Sequence, residues 1–500
     1  MGSVSQDRTM PESTEATGDN MAAEEVPDKS ASFQIRKPNR TVIVEPIVLL
    51  IGLCGIPMGM LSQFYIVAYY TQLLSNGTMT NSSHHSSNRS ESLCDVNKTD
   101  PVYLFGEEVQ RRASNFSMIL GLCSLIPALF VTTFIGAYSD QAGRRYAIIP
   151  PIVGSTVRAI SYVIVVALQL PAEYLVIGAV IEGFGGYYQT MLMGCFAYIS
   201  DIVSADGRAL RITILETCVF VPAVFAPLAT GYWVKHSGFL PPFITVLALY
   251  VVVLVYTIFF VPETVPRNPQ AKFFSTKHMT KSVLLFTKDD GTRRRWKLSV
   301  LIAAFFLCSV VKVGDSVDQL FEMNRPLCWT SEVIGNFLSA EVAVISAGAV
   351  LSMRLLKCCM RDGGIALTSG LMGVVHNVYT AFVQNSIMMY ITPLMSIFDF
   401  LFIPTARALM SSLVHDHEQG ALYGGIAFVE VICSLVGNVV FNSVYSATLY
   451  IMTGFVYLVM AAFYAVGCLL LVVFIVKMGR EYKTYMKFDD VGVVDGDVRE

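Results

Sequence analysis

The side chains able to do chemistry in this sequence are charges set inside long apolar runs. They are Glu182, Glu216, Glu341, Asp399, Arg407 and Glu430, together with Lys312, Asp315, Gln319 and Glu322, which recur at helical spacing and share one face. A charge at the centre of a membrane-spanning helix costs about 3 kcal/mol on insertion scales, so each needs a reason. A carboxyl group in a low-dielectric cavity can load and release a proton near neutral pH, and arginine offers a permanent charged fork to an anion. Together they equip a carrier of organic anions driven by protons. Blander readings stand beside this one. Lys312 and Asp315 can neutralise each other as an i,i+3 pair, and Arg407 can belong to the cytoplasmic end of its span. His376 is a second titrating candidate or a packed polar residue. Glu216 and Arg407 have no opposite charge within a turn of their own helix, so their partners come from elsewhere or from substrate.

Twelve apolar stretches position these charges. They lie at 43–70, 114–138, 146–168, 173–199, 210–232, 241–262, 298–323, 332–356, 364–384, 387–411, 421–445 and 449–476, each near the roughly 20 residues needed to cross the hydrocarbon core. Composition agrees. The 500 residues are 54% hydrophobic and only 15% charged, against about 25% charged in soluble proteins, and the mean hydropathy is +0.56. The fold expected is an all-α membrane protein. Helix breakers interrupt the first span (Gly52, Gly55, Pro57, Gly59), the fourth (Gly183, Gly185, Gly186) and the fifth (Pro222, Pro227), where such breaks line a cavity or meet a neighbour.

The loops sort by charge. Residues 1–41 are polar and read as a disordered tail. The loop 71–113 holds Asn-x-Ser/Thr sequons at Asn76, Asn81, Asn88 and Asn97, which places it on the glycosylated, non-cytoplasmic face. Residues 263–297 carry nine Lys or Arg against three acids, including Arg293-Arg294-Arg295, so this linker is cytoplasmic. It divides two six-helix halves, 42–262 and 298–476, and puts both termini, including the tail 477–500, inside. The basic run serves topology and lipid headgroups, with no nucleic acid implied. Eleven cysteines leave at least one thiol free. No His/Cys/carboxylate set has metal spacing, and His415-Asp416-His417 stands without further ligands. No nucleophile motif or phosphate-cradling loop is present, so neither an enzyme nor a cofactor is expected.

Between the second and third spans stands Gly136-Ala137-Tyr138-Ser139-Asp140-Gln141-Ala142-Gly143-Arg144-Arg145. Gly143 allows a sharp turn, and Asp140 can accept from a helix N-terminus or pair with Arg144. Such a cluster would hold the two halves together in one state and release them in another. The spacing of Gly136, Asp140, Gly143, Arg144 and Arg145 resembles the corresponding loop of the major facilitator superfamily, which implies twelve helices and a cytoplasmic gating motif. Further segments are similar to the proton-coupled folate transporter family (solute carrier family 46): Pro326-Leu327-Cys328-Trp329, Glu418-Gln419-Gly420-Ala421-Leu422 and Phe441-Asn442-Ser443-Val444-Tyr445-Ser446-Ala447-Thr448. The resemblance implies a disulfide between Cys94 and Cys328, proton coupling at Glu216, and a substrate and proton role at Arg407. Two positions depart from the family pattern. Its fourth-span acid before Phe-Gly-Gly is Gly183 here, with Glu182 one residue, or about 100° of helix, earlier. Its seventh-span histidine is Lys312, allowing a one-residue gap. Glu107-Glu108-Val109-Gln110 and Cys195-Phe196-Ala197-Tyr198 look closer to the family's lysosomal member.

The expectation is a proton-coupled symporter of folate-like or other organic anions working by alternating access, with the proton gradient as its driving force. Glu216, Glu182 and Asp315 are the candidate proton-coupling groups, and Arg407, Glu216 and Lys312 the candidate substrate-binding groups. Its partners are a small organic anion, protons and the lipid bilayer. The plasma membrane is the expected location, with an endosomal or lysosomal membrane as the alternative. Tyr485-Met486-Lys487-Phe488 fits a sorting signal or an ordinary tail, and Cys358-Cys359 fits palmitoylation or a plain helix end. Competing functions are a lysosomal exporter of small metabolites and a non-transporting membrane receptor or scaffold.

Overall fold

The computed structural model describes residues 43–78, 101–203, 205–265, 294–414 and 419–492, all within the unit Lys37–Glu500; a separate unit, Met1–Arg36, lies outside them. The described residues are helical, without a strand. In the N-terminal half run α1 (Glu45–Thr78), α2 (Pro101–Ala142), α3 (Arg145–Ala167), α4 (Leu175–Gly185), α5 (Tyr187–Ile202), α6 (Ala205–Ser237) and α7 (Leu240–Phe260). The C-terminal half holds α8 (Arg294–Ser309), a 3-10 turn at Val310–Val313, α9 (Asp315–Met323), α10 (Ser331–Cys359), α11 (Asp362–Ala381), α12 (Ser386–Asp399), α13 (Phe402–Ser411), α14 (Gln419–Thr448) and α15 (Phe455–Gly492).

Ten helical stretches in the described residues are long and apolar enough to cross a membrane. The two expected spans absent from that set have identifiable reasons. The fourth is cut in two at Gly186, whose φ of +100° is left-handed and costs glycine nothing. Thr132 Oγ1 donates to the Gly186 carbonyl at 3.1 Å, taking up an oxygen at the break. The ninth forms one helix, α11, but His376 and Asn377 dilute its apolar content. The first and fifth spans correct the expectation of interruption, since α1 runs unbroken through Pro57 and α6 through Pro222 and Pro227. There the small residues serve packing. A Cβ on Gly52 would stand 2.8 Å from Pro222 Cγ, so Gly52 lets α1 and α6 approach. Both α1 and α2 also extend past their apolar stretches. The first outer connection therefore narrows to residues 79–100, which hold Asn81, Asn88, Cys94 and Asn97 outside the described residues; Asn76 falls in the last turn of α1.

Helix α7 shows how the sequence writes a membrane-facing bundle. Its buried positions Phe243, Val246, Tyr250, Val253 and Thr257 recur every three or four residues, which is one helical face. Its other face, with Val251, Val252, Val255 and Phe259, is equally apolar and exposed, as lipid contact requires. Because lipid tails are as apolar as leucine, burial alone does not bring such helices together, and close packing at small residues must do so.

That packing forms a seam between the halves on the side of the Asn324–Thr330 loop. A Cβ on Gly231 of α6 would lie 2.3 Å from the Ser331 carbonyl oxygen of α10, and one on Gly335 2.5 Å from the Pro227 carbonyl oxygen. Ser331 Oγ donates to the Gly231 carbonyl at 3.2 Å, and Lys235 pairs with Glu332. Helices α2 and α14 meet on the same side, where Ser114 Oγ donates to the Asn442 carbonyl at 3.0 Å. The bundle is thus closed on this side. Gly231→Val should overpack the seam and cost about 1–3 kcal/mol, lowering the melting temperature of the purified protein. Gly59→Ala, with nothing within 4 Å of its added Cβ, should melt with the wild type.

Candidate functional site

The gating stretch folds around Gly143, whose φ of +128° turns the chain from α2 into α3. Its missing Cβ makes room for a carboxylate, since an added Cβ would lie 2.4 Å from Glu263 Oε2. Glu263 accepts from the backbone N–H of Arg144 at 2.6 Å and of Arg145 at 3.2 Å, placing a negative charge at the positive end of α3. Arg144 forks onto Asp201 of α5, with Nε 2.7 Å from Oδ2 and an Nη 3.2 Å from Oδ1. Thr264 Oγ1 donates to Asp201 Oδ2 at 3.1 Å, and Arg145 donates to the Ile258 carbonyl at 2.6 Å. These ties run within the N-terminal half. They join the loop to the ends of α5 and α7, where the sequence reading expected a link across the halves. The side chain of Asp140 lies outside the described set. Asp201 and Glu263 were missed by that reading. Their signal was an acid at the polar end of an apolar run, and an acid opening an otherwise basic linker.

Within the N-terminal bundle, Glu182 is buried and pairs at 2.7 Å with Arg158 of α3. Ser124 and Ser155 each donate to its carboxylate at 3.3 Å. Arg158 also lies 6.0 Å from the Tyr162 ring centroid, within cation–π range. The displaced acid has a packing reason: a Cβ at Gly183 would lie 2.3 Å from the Ser124 carbonyl oxygen, so that position holds no side chain, and the charge sits one residue earlier. Arg158 was the overlooked partner, an arginine in the middle of the third apolar run.

In the C-terminal half, Lys312 stands on the 3-10 turn and pairs with Asp399 at the end of α12. His376 of α11 brings Nδ1 to 3.4 Å from the same Asp399 oxygen, and Ser396 Oγ lies 3.5 Å from that nitrogen. Asp399 is fully buried, while the Lys312 side chain keeps 30% of its surface. Lys312 thus finds a partner on another helix; the i,i+3 alternative with Asp315 rests on a side chain outside the described set. Arg407 of α13 pairs with Glu430 of α14. Glu430 lies five residues into the apolar stretch Gly425–Thr448, and Arg407 four residues before the end of α13. The position of Glu216 is in α6, but its side chain is outside the described set. Lys312, Asp399 and His376 are brought together, as are Arg407 and Glu430; the Arg158–Glu182 pair stands apart in the other half.

Cys328 is disulfide-bonded, and its expected partner, Cys94, lies outside the described residues. Trp329 donates from Nε1 to Ser386 Oγ at 2.9 Å and packs on Phe337 and Tyr390, anchoring the loop to α10 and α12. No group of three metal-ligating side chains occurs among the described residues, and His415-Asp416-His417 lies outside them.

Comparison with known proteins gives three kinds of match. Residues 101–437 match the Major Facilitator Superfamily model. The proton-coupled folate transporter of Rattus norvegicus is 30% identical over 436 residues, covering 86% of this chain and 91% of that protein. The lysosomal proton-coupled steroid conjugate and bile acid symporter of Gallus gallus is 30% identical over 384 residues, 75% of this chain and 82% of that one. Among solved structures, a human organic anion transporter superposes with a TM-score of 0.58 at 14% identity, covering 85% of this chain and 99% of that one, which is a likeness of fold.

The Arg158–Glu182 pair should behave as a structural unit. Glu182→Ala leaves a buried guanidinium bare and should cost about 3–5 kcal/mol. Replacing both residues by methionine should recover most of that loss, as read from thermal melts of the three variants.

Proposed function

Because the chain belongs to the major facilitator superfamily and, within it, to the proton-coupled folate transporter family, we propose that it is a proton-coupled symporter of organic anions. The solute would be folate-like or steroid-conjugate-like, after the relatives in both branches. The observation that carries this reading is the pairing of Arg407 with Glu430 and of Lys312 with Asp399 inside the membrane. Each cation is held by an acid and retains contact with water. A proton on Glu430 cancels the charge that holds Arg407, and the freed guanidinium can then take an anion as a fork. Lys312 keeps its pairing with Asp399, which His376 also approaches, and offers its partly exposed ammonium group to the anion. Loading the proton thus creates the anion site, and losing it ejects the anion, which is coupling by differential affinity. Glu216 is the further proton-coupling candidate on α6.

In this reading twelve spans form two six-helix halves with both termini cytoplasmic. The seam at Gly231 and Gly335 is the outer closure, and the Arg144–Asp201–Glu263 cluster braces the cytoplasmic ends of one half. Asn76, Asn81, Asn88 and Asn97 would carry glycans on the outer face, and Cys94 would be the partner of Cys328. Glu182 is committed to Arg158 in this conformer and serves there as a structural charge. A receptor or scaffold has no use for exchangeable charge pairs, and the family is one of carriers rather than enzymes. Residence in the lysosomal membrane, with export toward the cytoplasm, is the second reading, supported by the similarity to the Gallus gallus symporter.

Uptake of radiolabelled folic acid and of estrone sulfate by cells expressing the protein should rise as outside pH falls from about 7.4 to about 5.5, a fall that favours proton loading of carboxyl groups held in a low-dielectric cavity. Glu216→Gln should abolish uptake at normal surface expression. Uptake that ignores pH for both probes would overturn the coupling.

A further inference from the structure

We propose that Glu322 is a proton latch on the outer seam: its side chain is accommodated there only as the neutral acid, so the halves close on that side only after it has taken a proton. The proposal rests on the carrier reading above and assigns the coupling step to a residue which that reading does not use.

Glu322 is the penultimate residue of α9, directly before the Asn324–Thr330 loop, and its carbonyl accepts from the Trp329 N–H at 2.9 Å. Its side chain is buried, with the residue 1% exposed. Oε2 has neither surface nor a hydrogen-bond partner. The charged groups acting on it are Asp318, one turn earlier on α9, and Glu341 of α10, both acids. From α15 the facing group is Tyr457, whose hydroxyl donates to Asp318 at 2.8 Å. From α14 it is Tyr445, whose hydroxyl lies 3.4 Å from Asn324 Nδ2. No charged group of α1 or α2 acts on Glu322 among the described residues, although both pack against α9.

A bare carboxylate in that position would be desolvated, without a cation among the described residues, and faced by two further acids, an arrangement whose desolvation nothing offsets. A neutral carboxyl group removes the expense. The same helix packs against α1 and α2 of the other half on the closed side, so parting the halves admits water to α9 and lets Glu322 ionise. The closed conformer therefore binds the proton more tightly than the open one, and acid outside drives closure by that difference in affinity. Gln319 belongs to the same environment, since its buried Oε1 also lacks a partner.

Glutamine has the shape of the protonated acid and cannot lose a charge. In cells expressing the full chain, Glu322→Gln should raise uptake of folic acid or estrone sulfate at neutral outside pH relative to acid pH, at least halving the acid-to-neutral uptake ratio, while the dependence set by Glu430 and Glu216 remains. An unchanged ratio at normal surface expression overturns the latch. Infrared spectra of the purified protein test it without transport. At neutral pH the wild type should show a protonated-carboxyl carbonyl band that resists hydrogen–deuterium exchange and disappears in Glu322→Gln. If no such band exists in the wild type, the proposal is overturned even should the variant fail to reach the surface. If the wild type ignores pH with both probes, the carrier reading falls, and the infrared band still decides whether Glu322 holds a proton.

Discussion

The structure depends on one constraint: a charge placed in hydrocarbon must find a partner, because water is not there to solvate it. Four described pairs show how it is met. Arg158 takes Glu182, Lys312 takes Asp399, Arg407 takes Glu430, and near the membrane edge Arg211 takes Glu45 at 2.6 Å. Every one of these pairs joins two helices, so the pairing that neutralises a charge also fixes which helices are neighbours. Arg158 ties α3 to α4 across Gly154 and Gly185, whose missing side chains let the two approach. Charge and close packing act on the same seam.

The second constraint is that apolar surface gives little drive for association in lipid, so contact must come from fit. Glycines supply it. Gly121 leaves space for the Asn438 amide, and Gly437 for the Val310 carbonyl oxygen, bringing α14 against α2 on one side and against the 3-10 turn bearing Lys312 on the other. The turn itself matters to the charges. A 3-10 segment in the middle of a span departs from the 3.6-residue repeat, so the polar residues on either side of it no longer share one continuous stripe. Lys312, which the regular spacing put on a face with Gln319 and Glu322, instead reaches α12.

The sequence carried the span positions well, because a run of about 20 apolar residues has few alternatives. Gly143 was also legible, since a sharp turn between two spans needs a residue free to take positive φ. Breaks and packing could not be told apart in the same way. Gly186 is a break and Gly52 a packing notch, yet both are glycines in apolar runs; only the left-handed φ of the one and the approach of Pro222 to the other separate the two roles. Charge partners were the least legible feature. Lys312 and Asp399 are separated by 87 residues and Arg144 and Asp201 by 57, and no local rule connects such pairs. The i,i+3 geometry offered a partner for Lys312 at hand, and the tertiary fold supplied a buried one.

Exposure divides the charge pairs into two kinds. The side chains of Arg158 and Glu182 keep 19% and 7% of their surface, whereas Arg407 and Glu430 keep 36% and 27%. A pair that must trade its acid for a substrate anion has to be reached by water and by the anion, and the exchange is feasible only where desolvation is incomplete. A sealed pair bound by two serine hydroxyls gains nothing from a visiting anion and would lose its neutrality. Lys312 combines the two characters, with a partly exposed cation over a fully buried acid. His376 shares that acid, with Nδ1 3.4 Å from the same oxygen. The cations paired in the C-terminal half are thus more exposed than Arg158, which is held in the sealed pair of the N-terminal half.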